Sequence, residues 1–420
     1  MRIWIITVGE PLPGDPGRDR LWRSGLTARL LAGRGHDVVW WTSTMDHFHK
    51  LQRHDESLSR ESGDGYRLIL LHGCFYGRNI GLARLRNHRQ LAAEFKRLAP
   101  RQERPDVILC SLPTLELSRE AVRFGRGHDV PVVIDIRDQW PDFMLEQVPR
   151  PLRPLARPWF GFMYADLREA CRDATALISN TPRFIAWGAG HGGRPVGPLD
   201  RDFPHGYPAG TVAAADLAAA GADWDARGVP ADDGTANICY FGTIRGTMMD
   251  FDTVVAAARQ LAGRVRFVLC GLGEDRDTLL RRAADLPSLL LPGWVDEPAI
   301  QALMRRSVAG LAPYRRIDSF VDNLPNKPLE YLSGGLPVLS CLEGVTRKLL
   351  ADDDCGYFYT AGDADSLVAA VGRLLDDPEQ RARRAEAAAR LFAARFSADK
   401  VYGELADYLE ALAAGRRPVA

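Results

Sequence analysis

Asn326-Lys327-Pro328-Leu329-Glu330-Tyr331-Leu332-Ser333-Gly334-Gly335-Leu336-Pro337-Val338-Leu339 reads as a loop, a short helix and a buried strand, the repeating unit of an α/β sheet. Asn326 is a candidate N-cap, Pro328 is tolerated only in a first turn, and Gly334-Gly335 stops the helix before the apolar run Leu336–Cys341. The free N–H groups and positive dipole end at such a helix start suit a phosphate, and Lys327 adds a point charge. Glu330 can accept two hydrogen bonds from a ribose diol. The alternative is a capped amphipathic helix carrying an exposed Glu.

Working outward, short apolar runs alternate with helical patterns in two series. The first holds Ile3–Val8, Val38–Thr42, Leu68–Leu71, Val107–Cys110, Val132–Ile136 and Ala176–Ile178. The second holds Ile238–Phe241, Phe267–Cys270, Leu289–Leu291, Gly310–Ala312, Pro337–Cys341 and Tyr357–Tyr359. Alternating β and α segments predict two tandem, doubly wound parallel sheets, with ligands at the carboxyl ends of the strands. Periodicity fails in the Gly- and Pro-rich segment Gly192–Pro208, so one domain is expected over 1–205 and a second over 206–395. Phe396–Leu412 reads as a helix, making 396–420 a terminal helical segment.

A length of 420 residues fits two cores. The formal net charge is zero, yet residues 1–205 carry more basic than acidic residues and the remainder the reverse, which suits an anionic partner on the first half and gives no nucleic-acid signature. The seven cysteines form no CxxC pair and read as reduced core residues of a cytoplasmic protein. No apolar run reaches the roughly 18 residues of a membrane span, so membrane contact, if made, is peripheral.

Further turns carry chemistry. Gly242-Thr243-Ile244-Arg245 follows a strand, where a glycine lets backbone approach a ligand and Arg245 can hold a diphosphate. Gly271-Leu272-Gly273 is the next turn, and Pro292-Gly293-Trp294-Val295 the one after; Trp294 either stacks on a base or fills the core. In Ile136-Arg137-Asp138-Gln139-Trp140-Pro141-Asp142 a buried strand ends in two ionisable groups, and Asp138 either serves an acceptor or pairs with Arg137. Arg84, Arg86 and Arg89 alternate with apolar residues at helical spacing, while Arg150, Arg153 and Arg157 lie beside Trp159, Phe160 and Phe162; both stretches suit an anionic membrane surface at its inner, cytoplasmic face, or plain solvation.

Asp322 and Glu330 bracket seven residues, and this spacing resembles the acidic-x7-Glu motif of the retaining family 4 glycosyltransferases. The segment ending in Trp140-Pro141-Asp142 resembles that of the WbuB-like bacterial branch of the family. The resemblance implies a GT-B fold with a C-terminal helix crossing back to the first domain. It also implies transfer of a hexosyl or N-acetylhexosaminyl group from a nucleoside diphosphate sugar to a lipid-linked or polysaccharide-precursor acceptor, with retention and without metal or cofactor. By the same likeness Glu330 holds the ribose, and Asn323 and Leu324 offer backbone amides to the donor. Asp322 contacts its sugar, Gly17, Gly242, Thr243, Gly271 and Gly273 line the diphosphate, Trp294 and Val295 meet the base, and Arg245 with Lys327 neutralises the leaving group. Asp138 is the acceptor-side candidate, and Arg18 is a candidate for an anionic acceptor. A same-fold nucleotide-sugar epimerase and a non-catalytic sugar-nucleotide-binding subunit of a polysaccharide assembly system remain as alternatives.

Overall fold

A computed structural model describes residues 1–15, 21–79, 81–208 and 212–416. The chain divides into two compact units, Met1–Pro204 with Val401–Ala420, and His205–Lys400. Each is built on a sheet whose central strands are buried along nearly their whole length and mostly apolar, as sheets covered on both faces require.

In the first unit the sheet runs, edge to edge, Arg201–Asp202, Ala176–Ser179, Val132–Ile136, Val107–Leu112, Arg2–Ile6, Asp37–Ser43, Arg67–Leu71 and Leu58–Glu61. Every pairing is parallel except the last, in which Leu58–Glu61 runs antiparallel to Arg67–Leu71. Sequence periodicity does not give this edge strand, because Leu-Ser-Arg-Glu has a single apolar residue. Trp4, Trp41 and Phe95 pack ring against ring in the core. The helix Ala398–Ala413 supplies the residues from Val401 onward. There Glu410 accepts from His36 at 2.9 Å and pairs with Arg34 at 3.0 Å, and the Tyr408 hydroxyl donates to Leu199 O at 2.7 Å.

The second unit carries a six-stranded, all-parallel sheet in the order Leu289–Gly293, Val265–Cys270, Ala236–Phe241, Ser307–Ala312, Val338–Ser340 and Gly356–Phe358. The helix Asn326–Ser333 lies against Ser307–Ala312 through one tight contact: a Cβ on Gly310 would sit 2.0 Å from Tyr331 Cγ. The buried Tyr331 hydroxyl then donates to Leu311 O at 2.8 Å, so ring and hydroxyl both fix the helix on the sheet.

We expect Gly310→Ala to lower the stability of the second unit by about 1–3 kcal/mol or more, since neither the aromatic ring nor the strand can yield without breaking that hydrogen bond. Urea unfolding reads this; an unchanged midpoint would show that the helix is held elsewhere.

Candidate functional site

Helix Asn326–Ser333 begins after Pro325 and has no side-chain cap, so Asn326 is its first residue and not the expected N-cap. The uncapped N–H groups at such an end are available to an anion. Glu330 is buried, 6% exposed, which speaks against the alternative of a capped helix carrying an exposed Glu. Lys327 is half-buried, its ammonium 5.3 Å from the Tyr240 ring centre and 5.6 Å from that of Tyr314. Burial pushes the Lys327 ammonium down to about 8, with Glu330 pulling it back.

The glycines beside Lys327 serve packing. A Cβ on Gly242 would lie 2.5 Å from Lys327 Cε and 2.6 Å from Nζ, so the missing side chain makes room for the ammonium. A Cβ on Gly271 would meet Gly242 O at 1.9 Å, and one on Gly273 would meet Ile244 O at 2.1 Å. The two turns are backbone against backbone: Gly242 N–H donates to Cys270 O at 3.0 Å and Ile244 N–H to Leu272 O at 2.8 Å. Gly271 N–H is likewise taken, by Gly293 O at 2.7 Å. Gly271 and Gly273 therefore shape the wall on which Arg245 sits. Thr243 is exposed, and its carbonyl accepts from the Tyr240 hydroxyl at 2.8 Å.

Arg245 is half-buried and pairs at 2.9 Å with Glu274, itself 66% exposed, a surface contact that a stronger anion can displace. Trp294 is 54% exposed at the end of the neighbouring strand, so its ring is open for stacking and does not fill the core; Val295 is half-buried beside it. Asp322 ends the short helix Asp318–Val321, Asn323 O accepts from Thr346 Oγ1 at 3.1 Å, and Leu324 is buried. Lys327, Glu330, Gly242, Arg245, Gly271, Gly273 and Trp294 thus all belong to the carboxyl-end turns of one sheet and the helix packed on it, where a parallel α/β sheet takes its ligands.

In the first unit a charge network closes the end of strand Val132–Ile136. Asp135 accepts from Arg23 at 2.8 Å and from Arg137 at 3.0 Å, and Arg137 also pairs with Glu10. Both arginines hold the buried Asp135 carboxyl low against desolvation. Arg137 thus has Glu10 and Asp135 for salt-bridge partners, which disfavours the alternative of an Arg137–Asp138 pair. Glu10, Arg23 and Asp135 escaped sequence reasoning because they are far apart in the chain and only the fold brings them together.

Desolvation by the protein packed around it pushes the Asp138 carboxyl up to about 6, with Arg84 and Arg137 opposing. Arg84 is turned inward: its guanidinium stacks 4.5 Å from the Trp140 ring centre and donates to Asn79 O at 2.7 Å, which corrects its expected place on a membrane face. Arg86 and Arg89 are exposed. Asp142, not singled out in the sequence, accepts from Trp187 Nε1 at 2.7 Å, His191 at 3.1 Å and the Tyr164 hydroxyl. Against the pull of burial, those bonds hold its carboxyl down at about 2. Gly17 and Arg18 lie outside the described residues.

Residues 22–197 match the family model described as glycosyl transferase 4-like domain, and residues 235–377 match that described as glycosyl transferases group 1. A phosphatidyl-myo-inositol mannosyltransferase of Mycolicibacterium smegmatis is 32% identical over 133 residues, a match spanning 31% of this chain and 33% of that protein. Among solved structures, sucrose-phosphate synthase from Thermosynechococcus elongatus superposes with a TM-score of 0.72 at 15% identity, covering 99% of both chains. Anabaena HepE in complex with UDP and glucose superposes with a TM-score of 0.67 at 16% identity, covering 98% of this chain and 100% of that one. The lipopolysaccharide-biosynthesis glycosyltransferase WaaG superposes with 0.66 at 15% identity, over 97% and 99%. At these identities the likeness establishes the fold, which is GT-B.

Gly271→Ala should destabilise the second unit by about 1–3 kcal/mol or more and disorder the Arg245 turn, because its Cβ meets a backbone carbonyl at a positive φ of 147°. Thermal unfolding together with amide exchange over 242–248 checks both effects; unchanged protection of that turn would refute the interlock.

Proposed function

We propose that this GT-B chain, with a glycosyl transferase 4-like domain followed by a glycosyl transferases group 1 domain, moves a sugar from a nucleoside diphosphate donor to a lipid-linked or polysaccharide-precursor acceptor. One observation carries the reading: the desolvated Lys327 ammonium stands at an uncapped helix start one turn from the buried Glu330 carboxylate. A diphosphate suits the first group and a ribose diol the second. The UDP and sugar held by the Anabaena protein of the same fold support that class of donor.

In this mechanism Lys327 and Arg245 neutralise charge on the diphosphate as the bond from the anomeric carbon to the phosphate oxygen breaks. Asp322, Asn323 and Leu324 contact the donor sugar, and Trp294 with Val295 meets the base. The acceptor hydroxyl forms the new bond on the same face, giving retention of configuration. Its proton leaves to the departing phosphate oxygen or to Asp138, whose raised carboxyl is suited to take it near neutrality. No metal or cofactor enters these steps. The reading favours the WbuB-like branch, a hexosyl or N-acetylhexosaminyl donor, and a cytoplasmic protein working at the inner face of the membrane.

Glu330→Gln keeps the buried shape and removes the charge, so donor affinity should fall by roughly 2–3 kcal/mol with the fold unchanged; calorimetry showing wild-type affinity would sink the ribose assignment. Release of nucleoside diphosphate should rise as Asp138 ionises through about pH 6 and fall as Lys327 loses its proton above about pH 8. Asp138→Asn should lose the acid limb and Lys327→Gln the alkaline one, and EDTA should leave the rate unaltered. Donor binding without any diphosphate release, across lipid and glycan acceptors, would favour the non-catalytic subunit.

A further inference from the structure

From Gln147 to Ala165 the chain has no acidic residue, while Arg150, Arg153 and Arg157 alternate with apolar residues and Pro149, Pro151, Pro154 and Pro158 punctuate it. The prolines break the segment into single turns, Arg150–Leu152, Arg153–Ala156 and Arg157–Phe160, ahead of the helix Gly161–Asp173, and none of the residues in those three turns is buried. Leu155 is 72% and Trp159 82% exposed, with Leu152 and Phe162 open beside them. Large side chains held out of the core in a cluster mark a contact surface.

The charges say what that surface meets. Arg153 donates to the carbonyls of Val148 and Glu146, at 3.0 and 2.9 Å, Arg157 lies 5.3 Å over the Tyr164 ring, and Arg89 lies 4.9 Å over that of Phe162. Among the described residues none of Arg89, Arg153, Arg157 and Arg168 pairs with a carboxylate. Arg157, Tyr164, Arg168 and His191 line a recess of about 390 Å³ directly behind the exposed turns. Asp142, the acid bonded to the lining residues Tyr164 and His191, is already engaged by them and by Trp187.

We infer that this strap docks on an anionic bilayer, Leu152, Leu155 and Trp159 entering the headgroup–acyl boundary while Arg157 and Arg168 receive a lipid phosphate at the recess. Aliphatic and indole groups interleaved with cations of one sign match a layer that is apolar beneath and anionic above. A protein partner would have to supply carboxylates in register with each Arg, and the broken turns offer no continuous helical ridge for it. No helix of the described residues is long and apolar enough to cross a membrane, so the contact is peripheral. The proposal extends the lipid-linked acceptor reading, and its test does not pass through sugar transfer.

Full-length protein is sedimented with phosphatidylcholine vesicles and with vesicles containing phosphatidylglycerol, at low and high salt. Wild type should partition about tenfold or more in favour of the anionic vesicles and be released by salt, since each surface arginine adds to the attraction. Arg157→Gln with Arg168→Gln should remove that preference, and Leu155→Ser with Trp159→Ser should weaken binding at every salt concentration. Arg84→Gln, on the inward-facing arginine, should bind vesicles as wild type does. Nucleoside diphosphate affinity is measured on each variant to show an intact fold, and it separates failure here from failure of the donor assignment. Equal binding to both vesicle types, wild-type binding by the strap variants, or a concentration-dependent dimer abolished by Trp159→Ser would overturn the proposal, the last by assigning the strap to a second copy of the chain.

Discussion

The seating of the Tyr331 ring on Gly310 is the constraint on which the second unit's chemistry depends. A strand residue with a side chain would lift the helix Asn326–Ser333 off the sheet, and with it Lys327 and Glu330, which that helix carries one turn apart. The Tyr331 hydroxyl bond to Leu311 O stops the ring from sliding along the strand. Because the contact is aromatic ring on backbone, it is rigid in a way that flexible aliphatic packing is not. The ammonium of Lys327 is then held over two tyrosine rings with Gly242 beneath it, desolvated before any ligand arrives. Such a preset cation loses little order on binding an anion.

The first unit solves a different problem at the end of its sheet. Asp135 and Glu10 are buried carboxylates, and isolated burial of either would be costly. Arg23 and Arg137 reach in from separate elements, and Arg23 also donates to the carbonyls of Phe203 and Pro204 at 2.9 and 3.0 Å. The network therefore ties together the start of one helix, the end of one strand and the end of the unit's first stretch of chain. It leaves the next residue, Asp138, outside the pairing, its carboxyl raised by desolvation. Of two adjacent ionisable residues, Arg137 is held in this network and Asp138 is not.

Arginines that look alike in sequence do different work in the same unit. Arg84 is stacked on Trp140 and bonded to Asn79, an inward cation beside Asp138. Arg89, two turns along at most, faces outward onto the Phe162 ring. Helical position decides this: residues spaced by five do not share a face.

What the sequence determined by itself follows from local physics. Apolar runs of strand length, helices between them, and a loss of pattern around 192–208 yield two parallel α/β sheets, and Pro328 and Gly334-Gly335 bracket the helix that carries Lys327 and Glu330. Asp322 and Glu330 came together as one motif through the resemblance to a known family, not through local physics. What the sequence could not supply are properties of surroundings assembled from distant segments. Glu330 is buried, not exposed, because the elements packed around it come from elsewhere in the chain. The glycines at 242, 271 and 273 look like phosphate-loop glycines, yet their missing side chains are filled by Lys327 and by neighbouring turns. Leu58–Glu61 becomes a strand only because Arg67–Leu71 offers it an edge. Trp294 and Trp159 have the same indole as the core Trp4 and Trp41, and only the tertiary structure leaves the first pair exposed and encloses the second. A periodic pattern reports which way a backbone repeats, whereas burial, pairing and pKa depend on what arrives from far along the chain.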